Sequence, residues 1–469
     1  MRSSPHTFGA EVGNAIAPDL DASIATARGR GRPVPLITTT IPVTAPDPIA
    51  LFAAAQSLGL EAALWLEPDA DRSIVGIGRA WAIEAGGPDR FANATAAWRT
   101  LLSDAIVSGA GPKLLGGLGF AGRIPDAGDP WTEFGAASLV LPRFTVTGDG
   151  DGGSAALTIA VGPDHADGAL RLERQWQSIL DHAANHDQVR AASGPALREV
   201  DSRPDREAWD RSVARFADDV ARGWIEKVVL ARRVVFRAAA ELDVVAALRH
   251  LARTAPESTT FAFARHGVTF LGATPERLLR TTGRSFETVA IAGSAPRGRD
   301  AAEDARLAAA LLASDKDRAE HAAVVATMRG SLDPIVETLD VADRPAVLPL
   351  RHVQHLMTPI RGRLREDAGL LTLAGRLHPT AAVGGAPREA ALALITEHEG
   401  FERGWYAGPI GWLGADGDGE LMVALRCALV SGAEATLFAG CGIVADSDPA
   451  TEWEESRLKL RTMTAALGD

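Results

Sequence analysis

The 469-residue chain reads as an α/β protein whose sheet is at least partly antiparallel. Three observations predict this. Short β-like runs alternate with helical stretches through the N-terminal half. The turn GDGDGG (Gly148 to Gly153) joins two such runs with no helix between them, which only antiparallel neighbours allow. A content of 46% hydrophobic and 23% charged residues supports a substantial core.

The β-like runs are Leu36 to Thr40, Ala62 to Leu66, Ser73 to Gly78, Lys113 to Phe120, Ser138 to Val146 and Ala156 to Val161. Helical stretches fall near Pro48 to Leu58, Arg90 to Ser108 and Ala169 to Ala184. A polar segment around Asn185 to Pro204 divides the chain into an N-terminal part, 1–204, and a C-terminal part, 205–469. From Asp205 the helical spacing of Trp209, Val213, Phe216 and Val220 predicts a helix leading into a strand that begins at Lys227.

Composition excludes several classes of function. A formal charge of −12 argues against nucleic acid as a partner, since its phosphates reward clustered Lys and Arg. It leaves a small anionic ligand open, because a few local cations or a metal reverse the potential inside a cleft. The segment MRSSPHTFGAEVGNAIAPD has no apolar core of signal-peptide length and no later run approaches a membrane span, so no membrane partner and a cytoplasmic location are expected. Two cysteines, Cys427 and Cys441, make no disulfide framework and suit a reducing compartment. Gly117, Gly119 and Gly122 spell G-x-G-x-x-G, but Arg123 to Asp126 follow where a dinucleotide fold needs the first turn of a helix, so a glycine-rich bend is expected instead.

Charged or glycine-bearing words are spaced through the C-terminal part: KVVLARR (Lys227 to Arg233), ATPERLL (Ala273 to Leu279), IAGSAPRG (Ile291 to Gly298), DKDRAEH (Asp315 to His321), LHPTAAVGG (Leu377 to Gly385), YAGPIGW (Tyr406 to Trp412), ALRCA (Ala424 to Ala428) and FAGCGIVADSDPATEWEESRLK (Phe438 to Lys459). Lys227 opens a strand that is otherwise core. A lone lysine there is usually a surface residue that snorkels, whereas a desolvated one can lose its proton near neutral pH. Arg426 falls in an apolar run, Leu421 to Val430, read as one strand, where an unpaired charge is costly, so it either meets a ligand or pairs with a buried Glu. Asp315 to Met328 reads as an amphipathic helix carrying Glu320. Asp448 and Pro449 start the last helix, which sets Glu452, Glu455 and Lys459 on one face; such a face is either solvated and favoured by the dipole or a ligand set. Tyr406, His355 and His378 stand as either cleft-lining or packing residues.

Together these eight words, in this order from about Ala221 to Leu467, resemble the chorismate-using enzymes: isochorismate synthase, salicylate synthase and the large subunits of anthranilate and aminodeoxychorismate synthases. The resemblance implies a single α/β unit in which two antiparallel β-sheets pack face to face with helices outside. It implies an enzyme whose general base is Lys227 and whose general acid is Glu276. It places Mg²⁺ between Glu320 and Glu455, with Glu452 nearby, and assigns chorismate to Ala382, Val383, Tyr406, Arg426, Gly440, Gly442 and Lys459. Ala450 stands where the family commonly has another acid after the proline.

The same resemblance implies a branch. Enzymes that add an amine lack lysine at the position of Lys227, and aminodeoxychorismate synthases carry a lysine where this chain has Ala292. Water is therefore the expected nucleophile, with no glutamine amidotransferase subunit. Salicylate synthases typically carry threonine where this chain has Ala382, and isochorismate synthases carry alanine. Isochorismate formation is the leading expectation, and subsequent pyruvate elimination is the alternative; Ala381 departs from the family's usual proline.

Overall fold

The computed structural model describes residues 35–44, 46–67, 71–126, 128–149, 154–162, 169–186, 194–349 and 353–468. The N-terminal stretch read for a leader, the turn residues 150–153 and positions 187–193 of the polar connection lie outside these residues.

Two large sheets organise the chain. Among the described residues, thirteen strands form one sheet and ten form the other. The larger runs, edge to edge, through 198–203, 227–237, 434–443, 427–431, 268–274, 259–265, 62–67, 72–77, 144–149, 154–161, 37–44 and 106–108, with 385–386 beside the second strand. The smaller runs through 336–341, 353–364, 285–296, 277–282, 419–423, 409–414, 113–118, 137–141 and 81–84, with 346–349 beside the second. Strands from both sides of residue 204 share each sheet. The expected two-sheet α/β architecture is what the chain adopts, antiparallel throughout except where Ile37–Thr44 pairs in parallel with Ile106–Ser108. That short strand corrects the expected helix over 90–108, which ends at Ser103.

Period-two alternation decides which core each side chain joins. In Thr259–Arg265, Phe261 and Phe263 enter the core between the sheets, while Ala262 and Ala264 face a second core under the helices. Ala63 and Trp65 likewise point between the sheets, and Ala62, Leu64 and Leu66 point toward the helices. The second core is closed by helices Pro48–Ser57, Val244–Thr254 and Pro449–Gly468, which bring Phe52, Leu251 and Met463 to it.

Helix starts follow their caps. Asp47, Asp205 and Asp243 each accept backbone N–H bonds from the first turn, satisfying donors that would otherwise be orphaned. Arg206–Ala221 buries Trp209, Val213 and Phe216 completely, as their spacing predicts. No described helix is long and apolar enough to cross a membrane.

Three extended runs switch sheets without a helix. Ala137–Leu141 belongs to the smaller sheet and Phe144–Asp149 to the larger; Val268–Thr274 and Arg277–Thr282 switch the other way; Gly419–Val423 and Cys427–Ser431 switch back. The first and last correct the single strands expected over 138–146 and 421–430. Arg426 lies at the last switch, with φ +49°, so its charge is carried on a corner rather than along a buried strand.

Candidate active site

The second and third switches lie side by side. Thr274 Oγ1 donates to the Val423 carbonyl at 2.5 Å, Val423 N–H donates to the Glu276 carbonyl at 2.9 Å, and Ala273 N–H donates to the Arg426 carbonyl at 3.1 Å. These bonds carry Glu276 and Arg426 to one edge of the sandwich. Lys227 comes from strand 227–237 of the larger sheet, separated from 427–431 by strand 434–443, and its Val229 pairs with Gly442. Its side chain crosses Gly442 so closely that a Cβ there would sit 2.5 Å from Lys227 Cε and 3.1 Å from Nζ.

The charges of these groups act on one another. Desolvation pulls the Lys227 pKa below its ordinary value, and the Lys459 charge adds to this; Glu320, Glu276 and Glu455 oppose it. Desolvation pushes Glu276 above the usual carboxylate range, against Lys227, Lys459 and Arg426. Burial also lowers Arg426, opposed by Tyr406 and Glu455. No carboxylate closes an ion pair with Arg426 among the described residues. Its guanidinium is therefore available to an anion, which suits its planar fork.

The last helix supplies the floor. It begins at Pro449, as expected, with Asp448 Oδ1 accepting from Thr451 N–H at 2.9 Å. Lys459 Nζ donates to the Gly440 carbonyl at 2.7 Å and pairs with Glu455 at 2.5 Å. Tyr406 is buried, its ring stacked on Phe438 with centroids 5.2 Å apart. A Cβ on Gly440 would lie 3.0 Å from its hydroxyl. Ligand atoms of Cys441, Glu452 and Glu455 all lie within 4.8 Å of one another. Burial raises Glu452, and the nearby Glu455 charge adds to this, although Ser447 Oγ donates to Glu452 at 2.7 Å. Two carboxylates this close, one partly desolvated, fit a hard divalent cation, which takes few protein oxygens and keeps waters. The Cys441 sulfur does not suit it: burial holds it as a thiol, hydrogen-bonded to the Glu452 carbonyl.

Glu320 stands outside that trio, exposed on helix Asp315–Leu332. Its helix is fixed by its neighbour. His321 is buried, with Nε2 2.7 Å from Thr358 Oγ1 and Nδ1 3.2 Å from the Ala292 carbonyl. Gly293, at φ +77°, makes the close approach possible, since a Cβ would lie 3.2 Å from Asp317 Cβ. The IAGSAPRG word is thus a bulged strand shaped to receive the helix that bears Glu320.

The two undecided histidines separate here. His355 has its pKa lowered by burial, and the charges of Lys227 and Lys459 add to this against a backbone bond with Gly293. His378 is a packing residue: it is buried, bonds the Phe120 carbonyl at 3.1 Å and has its pKa driven down to about 3 by desolvation. Ala382 is half-buried in the 378–384 loop, and Val383 turns its side chain into the core. The loop is tied to the Lys227 strand by the Val229 N–H bond to the Gly384 carbonyl, 3.0 Å. Sequence reasoning passed over Ser447, His321 and the buried pair Glu399–Arg403; the i,i+4 spacing of the last pair was its one visible trace. The rejected glycine word is a bend, with no helix through Asp126 and with Arg90 Nη2 donating to the Gly119 carbonyl at 2.9 Å.

Comparison with known proteins points to one family. Residues 22–468 match the sequence pattern of the family described as chorismate binding enzyme. The salicylate biosynthesis isochorismate synthase of Pseudomonas aeruginosa is 38% identical over 468 residues, covering 97% of this chain and 94% of that protein. The isochorismate synthase MenF of Bacillus subtilis is 32% identical over 418 residues, covering 86% of this chain and 87% of that one. Among solved structures, MenF of Escherichia coli, described as the menaquinone-specific isochorismate synthase, superposes with a TM-score of 0.75 at 27% identity, over 95% of this chain and 100% of that chain.

Proposed function

This chain belongs to the chorismate binding enzyme family, and we propose that it is an isochorismate synthase, converting chorismate to isochorismate. The observation that carries the reading is the opposed pair: Lys227 shifted toward its neutral form and Glu276 toward its protonated form in one cleft. Two groups whose pKa values are pushed in these directions suit a reaction needing a base and an acid at once. Neutral Lys227 takes a proton from water as the water oxygen bonds to C2. The ring double bonds shift, and the C4 hydroxyl departs as water with the proton of Glu276. Water enters and water leaves, so atoms balance and no oxidant is involved.

Arg426 would fork one substrate carboxylate, and Lys459, held by the Gly440 carbonyl and Glu455, would lie beside it. The Gly440 and Gly442 backbone lets the ligand approach, with Tyr406 beneath. Glu455 and Glu452 would hold Mg²⁺, with Glu320 reaching from the opposite helix. When bound, that ion supplies charge neutralisation for the second carboxylate. Water rather than ammonia is the nucleophile, and no amidotransferase partner is required.

The Pseudomonas relative's role in salicylate biosynthesis brings forward a second reading, in which isochorismate goes on to lose pyruvate at the same site. That step needs the enolpyruvyl side chain folded over the ring in a reactive pose, and Ala382 offers only a methyl group to impose one. Chromatography with a coupled pyruvate assay is expected to find isochorismate with little pyruvate, ammonium salts giving no aminated product. Ala382→Thr is expected to raise the pyruvate fraction several-fold even as total turnover falls. Stoichiometric pyruvate from the unaltered protein would establish the second reading in place of the first.

A further inference from the structure

One edge of the Lys227–Arg237 strand is only partly covered by another strand. Arg233 to Arg237 pair there with Arg198–Arg203, and Lys227 and Val228 pair with Ala386 and Gly385. Between these contacts Val229 and Ala231 turn backbone groups toward the same edge. The Val229 N–H meets the Gly384 carbonyl of the loop at 3.0 Å, and side chains take the remaining groups. Arg403 Nη2 donates to the Val229 carbonyl at 2.8 Å, and Ala231 N–H donates to Glu399 Oε1 at 2.8 Å. Arg403 Nη1 reaches across to the Val383 carbonyl at 2.8 Å, and its Nε donates to Glu399 Oε2 at 2.8 Å. Both side chains are almost wholly enclosed, at 3% and 2% exposure. The guanidinium carbon also lies 4.2 Å from the Phe120 ring centroid.

A buried ion pair is weak evidence for stability, because apolar packing of similar volume often serves as well. What an apolar pair could not do is bond, at fixed angles, the strand of Lys227 and the loop of Ala382 together. We propose that Arg403, oriented by Glu399, is a positioning residue that sets the separation of the substrate loop 378–384 from the Lys227 strand. The kinetic consequence rests on the isochorismate synthase reading; the mechanical one does not.

Two variants of the full chain test it. Arg403→Lys keeps the charge and loses the fork, and Glu399→Gln keeps the shape and loses the charge. In both, hydrogen–deuterium exchange is expected to rise by at least about tenfold in residues 380–386 and at Ala231, while the Thr259–Arg265 strand stays protected. The kcat for chorismate is expected to fall by ~10²-fold with a smaller change in KM, as for a reacting group misplaced by about 1 Å. Unchanged local exchange, exchange raised equally in the Thr259–Arg265 strand, or an unaltered kcat beside a loosened loop would each overturn the proposal. So would failure of both variants to fold, which would assign the pair to stability alone. Should the unaltered protein not turn over chorismate, the functional reading falls and the exchange measurement alone decides the clamp.

Discussion

Replacing Lys227 with alanine is expected to lower isochorismate formation by ~10²–10⁴-fold, the usual range for loss of a general acid or base, while chorismate still binds. Binding is kept because Arg426, Lys459 and the glycine backbone are untouched. The pH profile gives the sharper test. The reactive form has Lys227 neutral and Glu276 protonated. Turnover of the unaltered enzyme therefore rises as pH climbs through the lowered lysine pKa and falls as pH climbs through the raised carboxyl pKa. Lys227→Ala should lose the rising limb and keep the falling one. Calorimetric titration with chorismate and stopped-time product assays across pH measure both, and turnover within a few-fold of the unaltered protein would remove Lys227 from the mechanism.

Chelation should have an effect as large. With excess EDTA, turnover is expected to cease, and Mg²⁺ should restore it. Glu455→Ala or Glu320→Ala should require at least about tenfold more Mg²⁺ for half-maximal rate, since Mg²⁺ relies on few protein carboxylates and loses a large share of them with either change. Glu455 also holds Lys459 at 2.5 Å, so its loss could act through the lysine instead. Direct calorimetry of Mg²⁺ binding separates the routes: a weakened ion signal in Glu455→Ala supports ligation, and unchanged affinity with reduced rate supports the lysine. Full activity in excess chelator would end the metal assignment.

Much of this molecule is written in local pattern. The alternation Thr259–Arg265 sorts its phenylalanines from its alanines without outside help, because a pleated strand presents two faces. Asp205 and the Asp448–Pro449 pair start their helices because orphan N–H groups need an acceptor and proline already has the helical φ. The order of the eight words pointed to the family, and through it to the two sheets and to the residues expected to act. Three matters were decided only by tertiary structure. Residues 421–430 are one apolar run in sequence but two strands of different sheets, since a strand buried on both faces looks the same whichever sheet it joins; the switch between them puts Arg426 beside Glu276. His355 and His378 are alike in sequence, and only their surroundings leave one under the charges of two lysines and pack the other against Phe120. Glu399 and Arg403 stand in for a strand neighbour at the edge of the Lys227 strand, and no local pattern reports that side chains 168 and 174 residues further along fill it.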